Sequence, residues 1–551
     1  MSSDRGLWDR LVTDAGRARA SLHCWVGTGY QSATWTEVVR DAERMTAGLR
    51  RIGVRPGTRV ASVLTNGPLA VRGLLAVWLA GGAVASLPVP ARGMSGEEYL
   101  AQLEGICAQL EPETLLLDAA VLAGLPDDIG KRLRARSWES VVDSGRVEED
   151  PPGLDDLAFV QYSSGSTNAP KGCMLTPRAI GAQVDIVGAM LDFRTGRDVS
   201  VSWLPLSHDM GLFGCLLSPW CNDIDQYLST PERFMFSPGT WFADMANHGG
   251  TLTAGSNTGL HLAARAAARS LRDRPTCLVQ VRACIIGAER VTWETLTSAV
   301  NSLGPCGFRP EALMPAYGLA EATLAVTATP IAEEPRRLSL DAAALADGAL
   351  LDAAEDDPAA AVVVGAGVPC LGVELSLSDS DRLGEIGVRS PSLAGGYYAD
   401  EVRTKEHFVD GLLNTSDLGF VRDGVLYPVG RTDDVISVAG RKVYAREIET
   451  AVDGLDGVRR GCSTLVGHHD GAHFRLTLFM EIKHSADYRT VAEQAASLAM
   501  AKAAVALDEC VFLDRNSLPK TPSGKIQRHR CRQLLDAGRF EPLATVALNS
   551  P

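Results

Sequence analysis

The amino-acid sequence predicts an α/β protein: a large N-terminal domain of mostly parallel sheets flanked by helices, then a small C-terminal α/β domain. A chain of 551 residues is too long for one core, so two or more domains are expected. Strand-like runs alternate with amphipathic helices along most of its length, which favours parallel sheets. A turn-rich stretch at 430–442 precedes a shorter α/β segment. We therefore place the boundary near residue 433, giving domains 1–432 and 433–551.

The first clear helix is predicted between Thr34 and Gly53. Thr34 and Glu37 have the spacing of a capping box, and Gly53 is a typical stop. Apolar residues recur between them at helical spacing, at Val38, Ala42, Met45 and Leu49. The following run, RVASVLTNG at 59–67, predicts a strand and its turn.

Residues 73–91, GLLAVWLAGGAVASLPVPA, carry no charge over nineteen positions and are long enough to cross a membrane. The glycine pair Gly81 and Gly82 and the prolines Pro88 and Pro90 divide this run. We therefore predict a short buried helix followed by a buried strand, and no membrane span.

Charge and cysteine spacing exclude several classes of partner and site. A net charge of −14 disfavours nucleic acid and anionic membranes, which bind basic surfaces. The twelve cysteines are scattered, none closer together than Cys215 and Cys221, so no C-x-x-C metal or redox spacing occurs. The N-terminal residues MSSDRGLWDR lack the apolar core of a signal peptide. We expect a cytoplasmic protein.

A strand, LAFVQYSS, leads directly into the stretch QYSSGSTNAPKG at 161–172, whose hydroxyls and lysine suit phosphate binding. The stretch is not a Walker A loop, because Pro170 has no N–H to donate and Gly172 replaces the Ser/Thr that holds magnesium. A surface Ser/Gly loop would have a similar composition. The carboxyl end of a strand is nevertheless where open α/β sheets bind ligands.

Five further stretches follow in order, namely WLPLSHDMGL (203–212), IIGAE (285–289), MPAYGLAEAT (314–323), NTSDLG with GRTDD (414–419 and 430–434), and LPKTPSGKIQR (518–528). Together with 161–172 they resemble the core motifs of the adenylate-forming superfamily, which includes acyl-CoA synthetases, nonribosomal peptide adenylation domains and luciferases. The residues at 203–212 and 314–323 are most similar to the corresponding motifs of the fatty acyl-AMP ligases. Each motif is weak alone, but six in order, covering about residues 30 to 535, are specific.

The resemblance implies ATP and Mg²⁺ as cofactors and assigns roles to individual residues. The ATP phosphates would be held by Ser163, Ser164, Gly165, Ser166, Thr167 and Lys171. The adenine would be bound by Gly287, Ala288, Glu289, Ala316, Tyr317, Gly318 and Leu319. The ribose would be bound by Asp417 and Arg431, and magnesium by Glu321 with Thr167. Without the resemblance, Tyr317 would be interpreted as a core residue and Glu321 as a carboxylate at a helix N-terminus. Asp417 and Arg431 would be interpreted as a surface ion pair.

The resemblance makes Lys525 the catalytic lysine, with an ammonium able to stabilise charge on the carboxylate and the α-phosphate. A solvated basic tail is the alternative, because Lys520, Arg528 and Arg530 lie nearby in the sequence. Asp433 occupies the hinge position, so the small C-terminal domain would be a mobile lid that closes for adenylation and then parts.

The resemblance is weakest in the acyl pocket, because residues 253–263, TAGSNTGLHLA, match the family motif only in outline. Asn168 also stands where relatives have glycine, and Ser207 where many have tyrosine. The pocket candidates are His208, Asp209, Met210, Gly211, Gly255, Ser256 and Asn257.

Residues 331–360 are acidic and Ala-rich. This composition predicts either an insertion packed on the surface or a mobile segment. Fatty acyl-AMP ligases carry a comparable insertion that disfavours the CoA-dependent step. The expected partner is therefore a separate phosphopantetheinylated acyl carrier protein, and the expected substrate a fatty or modified acyl acid. An acyl-CoA synthetase, an enzyme for a β-amino or hydroxy acid, and a catalytically silent nucleotide-binding protein remain alternatives.

Overall fold

The computed structural model describes residues 6–89, 95–143, 145, 150–162, 171–271, 277–357, 360–377, 379, 381–432, 435–438, 441–470, 473–483, 487–503, 505–520 and 526–548. The α-helices within these ranges are α1 (Trp35–Arg51), α2 (Pro68–Leu79), α3 (Gly96–Leu110), α4 (Ala119–Leu122), α5 (Asp127–Arg132), α6 (Pro177–Leu191), α7 (Ser218–Cys221), α8 (Pro231–Phe236), α9 (Thr240–His248), α10 (Asn257–Ser270), α11 (Trp293–Leu303), α12 (Ala342–Ala346), α13 (Glu401–His407), α14 (Ala445–Val452), α15 (Tyr488–Ala503) and α16 (Arg528–Asp536).

The strands of the first 330 residues are β1 (Ser21–Trp25), β2 (Tyr30–Thr34), β3 (Arg59–Ser62), β4 (Ala83–Ser86), β5 (Thr114–Leu117), β6 (Ala135–Ser137), β7 (Phe159–Tyr162), β8 (Gly172–Leu175), β9 (Val199–Ser202), β10 (Asp225–Leu228), β11 (Leu252–Ser256), β12 (Ala283–Gly287), β13 (Leu313–Gly318) and β14 (Ala325–Ala328). Those that follow are β15 (Arg337–Leu340), β16 (Ala361–Val364), β17 (Val368–Pro369), β18 (Glu374–Ser376), β19 (Gly384–Arg389), β20 (Phe408–Val409), β21 (Leu412–Arg422), β22 (Val425–Arg431), β23 (Val435–Val438), β24 (Arg441–Tyr444), β25 (Val458–Asp470), β26 (His473–Ile482), β27 (Glu509–Leu513) and β28 (Ala544–Ala547).

Two large sheets form the frame. One has nine strands in the order β17-β14-β13-β12-β11-β9-β10-β1-β2, and the other has six in the order β6-β5-β3-β4-β7-β8. Neighbours from β13 to β1 and from β6 to β7 run parallel, whereas β2, β8, β14 and β17 pair antiparallel with their neighbours. The expectation of mostly parallel sheets is confirmed for this part of the chain.

The locally encoded elements form as expected. The Thr34 hydroxyl accepts a hydrogen bond from the Glu37 backbone N–H, and the Glu37 carboxylate accepts one from that of Thr34, which completes the capping box of α1. The uncharged run at 73–91 forms the end of α2 and all of β4, which are buried almost throughout. No helix among the described residues is long and apolar enough to cross a membrane.

The insertion at 331–360 is packed onto the neighbouring sheet. Strand β15 pairs antiparallel with β16 just beyond the insertion. Leu340 and Leu345 are buried with Phe420, Val425 and Tyr427, which belong to β21 and β22. The described part of the insertion is therefore packed, because its own leucines extend the core of an antiparallel sheet. The sequence analysis did not predict this sheet.

The stretch at 430–442 contains more structure than the turn-rich connection that we expected. Its described residues include β23, which pairs antiparallel with β24 and is rich in the β-branched residues that strands favour. Beyond it, β25 to β28 form a four-stranded sheet with its own apolar core against α14 and α15. The ion pairs Arg290–Glu447 and Arg530–Glu98, both at 2.6 Å, join this segment to the preceding sheets.

Candidate active site

A cavity of about 1230 Å³ lies at the carboxyl ends of the parallel strands. Strand β7 contributes Gln161 and Tyr162, and β12 contributes Gly287 at its last position. Loops after β9 and β13 supply further parts of the wall. The location is the one favoured for ligands in open α/β sheets, because neighbouring loops diverge there and leave a crevice.

One side of the cavity is formed by all seven residues predicted to bind adenine, namely Gly287, Ala288, Glu289, Ala316, Tyr317, Gly318 and Leu319. Two positions explain why small residues are needed. A Cβ on Gly318 would lie 2.0 Å from the Leu324 carbonyl oxygen, so only glycine fits. Ala288 adopts φ +63°, which turns the backbone sharply after β12.

Tyr317, Asp417 and Arg431 form a polar group at the next part of the wall. The Tyr317 hydroxyl donates to Oδ2 of Asp417 at 2.6 Å, and Nε of Arg431 lies 3.3 Å from Oδ1. Asp417 and Arg431 stand directly opposite each other on β21 and β22. Burial, followed by the charge of Asp417, raises the pKa of Tyr317 well above its ordinary value, so the phenol stays protonated.

Glu321 and Lys171 are joined by Tyr397, which the sequence analysis did not identify. The Tyr397 hydroxyl donates to Oε1 of Glu321 at 2.8 Å, and Nζ of Lys171 lies 5.2 Å from the centre of its ring. Burial, followed by the charge of Glu321, raises the pKa of the Tyr397 phenol. The only signal in the sequence is the glycine pair before Tyr397, whose backbone bonds to Met174 of β8.

Three of the acyl-pocket candidates, His208, Asp209 and Met210, line the cavity. Asp209 caps the helical turn Met210–Leu217 by accepting from the Met210 N–H at 2.6 Å, and its carboxylate also lies 2.6 Å from Nδ1 of His208. The Gln161 side-chain amide donates to the Ser207 carbonyl at 2.9 Å and ties this segment to β7.

The other four acyl-pocket candidates do not line the cavity. Gly211 faces the Pro205 carbonyl, 2.2 Å from the position of a Cβ, and Gly255 similarly faces the Trp241 ring. Ser256 caps α10 by accepting from Gly259 N–H at 3.0 Å, and Asn257 accepts from Thr292 N–H at 3.0 Å. Their place in the acyl pocket stays a prediction, because capping and turn bonds hold Ser256 and Asn257 and the two glycines lie against other groups.

The apolar wall comes mainly from segments that sequence reasoning missed. Its residues are Val187, Met190, Leu191, Gly214, Cys215, Ala254, Ile285, Leu324 and Ala325. Three of them share one face of α6, at the spacing that any amphipathic helix would show. Nothing in that pattern separates a pocket wall from ordinary core.

Several predicted residues lie outside the described part of the chain: Ser163, Ser164, Gly165, Ser166, Thr167, Asp433 and Lys525. Their described neighbours do reach the cavity. Lys171 lines it after the first stretch, and Ile526 and Gln527 line it directly after Lys525.

Both flanks of residues 521–525 are anchored to the C-terminal sheet. On one side, the buried Lys520 ammonium donates to the Gly461 carbonyl and lies 3.2 Å from Sγ of Cys462. On the other, Nη2 of Arg528 donates to the buried Glu449 carboxylate at 2.8 Å. A bridge between Lys520 and Ile526 closes the base.

The donor set fits magnesium held together with a nucleotide. Among the described residues, no three His, Cys, Asp or Glu side chains are grouped to hold a metal ion by themselves. Glu321 nevertheless presents a carboxylate at the cavity, oriented by Tyr397. Magnesium is commonly held by one or two carboxylates and substrate phosphates, so one carboxylate is sufficient.

Comparison with known proteins agrees with this geometry. Residues 12–398 match the family described as AMP-binding enzyme. The medium-chain-fatty-acid–[acyl-carrier-protein] ligase JamA of Moorena producens is 32% identical over 69% of this chain and 67% of its own. A structure from a study of fatty acyl-adenylate ligases of E. coli and L. pneumophila has a TM-score of 0.87 and 24% identity, covering 97% of this chain and 98% of the other, which shows the shared fold. The L. pneumophila fatty acyl-adenylate ligase in complex with acyl adenylate and pyrophosphate has a TM-score of 0.73 and 25% identity, covering 99% and 98%.

Proposed function

Because this chain belongs to the AMP-binding enzyme family, we propose that it activates a fatty or modified acyl acid with ATP. The products of this step are acyl-AMP and pyrophosphate, and the acyl group then passes to the phosphopantetheine thiol of a separate carrier protein. One observation carries the proposal: a single cavity joins the Tyr317–Asp417–Arg431 group, the Glu321 carboxylate and an extended apolar wall. A nucleotide and an apolar acid could therefore meet in it.

The polar group suits a ribose. The Asp417 carboxylate can accept hydrogen bonds from ribose hydroxyls while Tyr317 and Arg431 hold it in place. The small residues Gly287, Ala288 and Gly318 line the cavity beside it and leave room there for an adenine. Binding the nucleoside in this way fixes the α-phosphate relative to the acid, which lowers the entropic part of the barrier.

Adenylation brings a carboxylate against the α-phosphate of ATP. Two such anions at about 4 Å repel by roughly 4 kcal/mol in a partly screened site, so cations are needed there. Lys171 supplies one beside the proposed phosphate stretch, and we assign a second to Lys525. When bound at Glu321, magnesium would neutralise the phosphate charge further.

The apolar wall supports a fatty acyl substrate, since its side chains, among them Met190, Cys215 and Ala254, carry no charge. Transfer to a carrier protein is supported by the similarity to JamA, which is named as an acyl-carrier-protein ligase. The insertion at 331–360, whose described part is packed on the neighbouring sheet, supports the same acceptor through its resemblance to the insertion of the fatty acyl-AMP ligases.

We further propose the division into domains 1–432 and 433–551, with Asp433 as the hinge. The separate core of the C-terminal segment supports it. A rotation there would move Lys525 away after adenylation and expose the acyl-AMP to its acceptor.

The test is carboxylate-dependent pyrophosphate release, measured across short, medium and long fatty acids and β-amino and hydroxy acids. Each reaction is run with CoA, with a holo acyl carrier protein, and with neither. Lys525→Ala should lower the rate about 10²–10³-fold, the usual effect of removing a group that stabilises transition-state charge. Lys483→Ala is the matched control, because this lysine pairs only with Asp456 at 3.9 Å on the surface.

Release that depends on an acid of one class and on Lys525, followed by carrier acylation, would support the proposal. Acyl-CoA formation without carrier acylation would instead identify an acyl-CoA synthetase. No release with any acid would contradict adenylation altogether.

A further inference from the structure

We propose that Thr323 is a positioning residue, whose strained turn places the Glu321 carboxylate and the Leu324 side chain correctly relative to each other at the cavity. This inference rests on the proposed function, because Glu321 lines the cavity as the proposed magnesium ligand and Leu324 lines it as part of the apolar wall. Thr323 itself is buried and does not line the cavity. It would therefore act through its two neighbours and touch neither the nucleotide nor the acid.

The backbone at Thr323 has a conformation that threonine rarely adopts. Its φ is +65° and its ψ is −50°, and the Leu324 N–H donates to the Ala322 carbonyl at 2.8 Å. These values describe a γ-turn of the rare and strained form. A positive φ crowds the Cβ against the backbone, and for a β-branched residue it is a genuine outlier. Glycine would adopt this conformation without strain, so the presence of threonine calls for an explanation.

The hydroxyl of Thr323 supplies that explanation. It donates to the Ser392 carbonyl at 2.6 Å, and the Ser392 hydroxyl donates in turn to the Ala322 carbonyl at 3.0 Å. Thr323 and Ser392 are both fully buried. Relaxing the turn would leave buried polar groups unpaired, so these hydrogen bonds hold the backbone in its strained form. Strain that the surroundings maintain in this way is concentrated at functional sites.

The turn closes a short loop that is fixed on both sides. The Leu319 N–H donates to the Leu324 carbonyl at 2.9 Å, so the chain returns to the residue that follows β13. The Ala394 N–H donates to the Glu321 carbonyl at 2.8 Å. Because Thr323 lies between Glu321 and Leu324, a change in its φ would turn one of these side chains relative to the other.

The relative position of these two side chains matters for adenylation. Magnesium bound at Glu321 would hold the phosphates, and Leu324 contacts the part of the apolar wall where Gly214 lies, with Cδ2 3.1 Å from the position of a Cβ on that glycine. The acid must meet the α-phosphate in an attack geometry, and a misplacement of about 1 Å can lower the rate about 100-fold. One strained residue thus sets the distance between the metal side and the acyl side of the site.

The experiment compares Thr323→Val, which keeps the branched Cβ but loses the hydroxyl, with Thr323→Ser, which keeps the hydroxyl. Carboxylate-dependent pyrophosphate exchange is measured while the magnesium concentration and the acyl chain length are varied. In Thr323→Val we expect the magnesium concentration for half-maximal exchange to rise about tenfold or more, as for other groups that orient metal ligands. The ratio of kcat/KM for long and short acids should also change, by about fivefold or more. Thr323→Ser should resemble the wild type in both measurements.

Thr323→Gly keeps the proposal testable if Thr323→Val does not fold. Glycine adopts this φ without strain but has no hydroxyl, so the protein should fold while the turn is no longer held. We therefore expect the same two changes in Thr323→Gly. If the threonine served stability alone, a folded glycine variant would instead keep the magnesium dependence and the chain-length profile of the wild type.

The matched control is Thr114→Val on β5. Thr114 is also buried, its hydroxyl donates to the Arg134 carbonyl at 2.7 Å, and it does not line the cavity. This variant should keep both measurements as in the wild type. Unchanged values in the folded Thr323 variants, equal changes in Thr114→Val, or a change in the magnesium dependence alone would overturn the positioning role. Absence of pyrophosphate exchange in the wild type would refute the proposed function instead.

Discussion

The Tyr397 hydroxyl donates a hydrogen bond of 2.8 Å to Oε1 of Glu321, which lies 76 residues earlier in the chain. The same ring lies beneath the ammonium of Lys171. One aromatic side chain thus orients the proposed magnesium ligand and a proposed phosphate-binding lysine together. Groups that orient metal ligands in this way commonly change metal affinity or activity 10–100-fold when removed.

Tyr397→Phe should therefore raise the magnesium concentration needed for half-maximal pyrophosphate exchange about tenfold or more, while retaining the ring below Lys171. The measurement is a magnesium titration at saturating ATP. Tyr398→Phe is the control, because its hydroxyl only donates to the Leu110 carbonyl at 3.4 Å. Equal magnesium dependence in wild type and Tyr397→Phe would contradict a role for this hydrogen bond.

Asp417→Asn should raise the KM for ATP at least tenfold. The substitution removes the negative charge that pairs with Arg431 and that would accept hydrogen bonds from the ribose hydroxyls. Tyr317→Phe should have a smaller effect, since it removes the 2.6 Å hydrogen bond to Asp417 but leaves the charge of that carboxylate in place. If the two residues act together, the double variant should lose less than the sum of the single changes in free energy. Strict additivity in this cycle would argue that they bind separately.

Gly214→Val should shift the substrate preference towards shorter acids. A Cβ at this position would lie 3.1 Å from Cδ2 of Leu324, and both residues line the apolar wall, so the added methyl groups would occupy acyl space. We expect kcat/KM for long-chain acids to fall at least tenfold relative to short-chain acids. The control is Gly188→Val on α6, where a Cβ would meet only Asn222, at 3.9 Å. An unchanged chain-length profile would place the acyl chain elsewhere.

Asp453 should make stability depend on pH. Burial raises its pKa from 3.8 to about 6, opposed by hydrogen bonds from Ser463 and the Gly461 N–H. The folded carboxyl therefore holds its proton more tightly than the unfolded one. This contribution, of about 3 kcal/mol, is complete below pH ~4 and is lost as the pH rises through about 6.

Asp453→Asn should accordingly unfold at a higher temperature than the wild type at pH 7, with the difference vanishing below pH 4. The measurement is the unfolding midpoint of both proteins between pH 4 and 7.5. Asp514→Asn, at an exposed aspartate, is the control for replacing a carboxylate by an amide. A constant difference across this range would mean that the carboxyl does not titrate differently on folding.

Features encoded by near neighbours could be predicted from the sequence alone. The capping box of Thr34 and Glu37, the division of 73–91 into α2 and β4, and the strand β7 that leads into the stretch at 161–172 depend on residues within a few positions of each other. The segments predicted to bind adenine and ribose were identified through their resemblance to a family, and their residues line one cavity.

Other features depend on how distant segments pack. The local sequence does not distinguish whether Ser256 lines a pocket or caps a helix. The hydrogen bond that its side chain accepts from the Gly259 N–H shows that it caps α10. The apolar face of α6 carries no local signal of its role, and Tyr397 has only the glycine pair before it. Their function depends on the strand order that brings β8, β13 and the segment around Tyr397 to one crevice, and that order arises from the packing of the whole core.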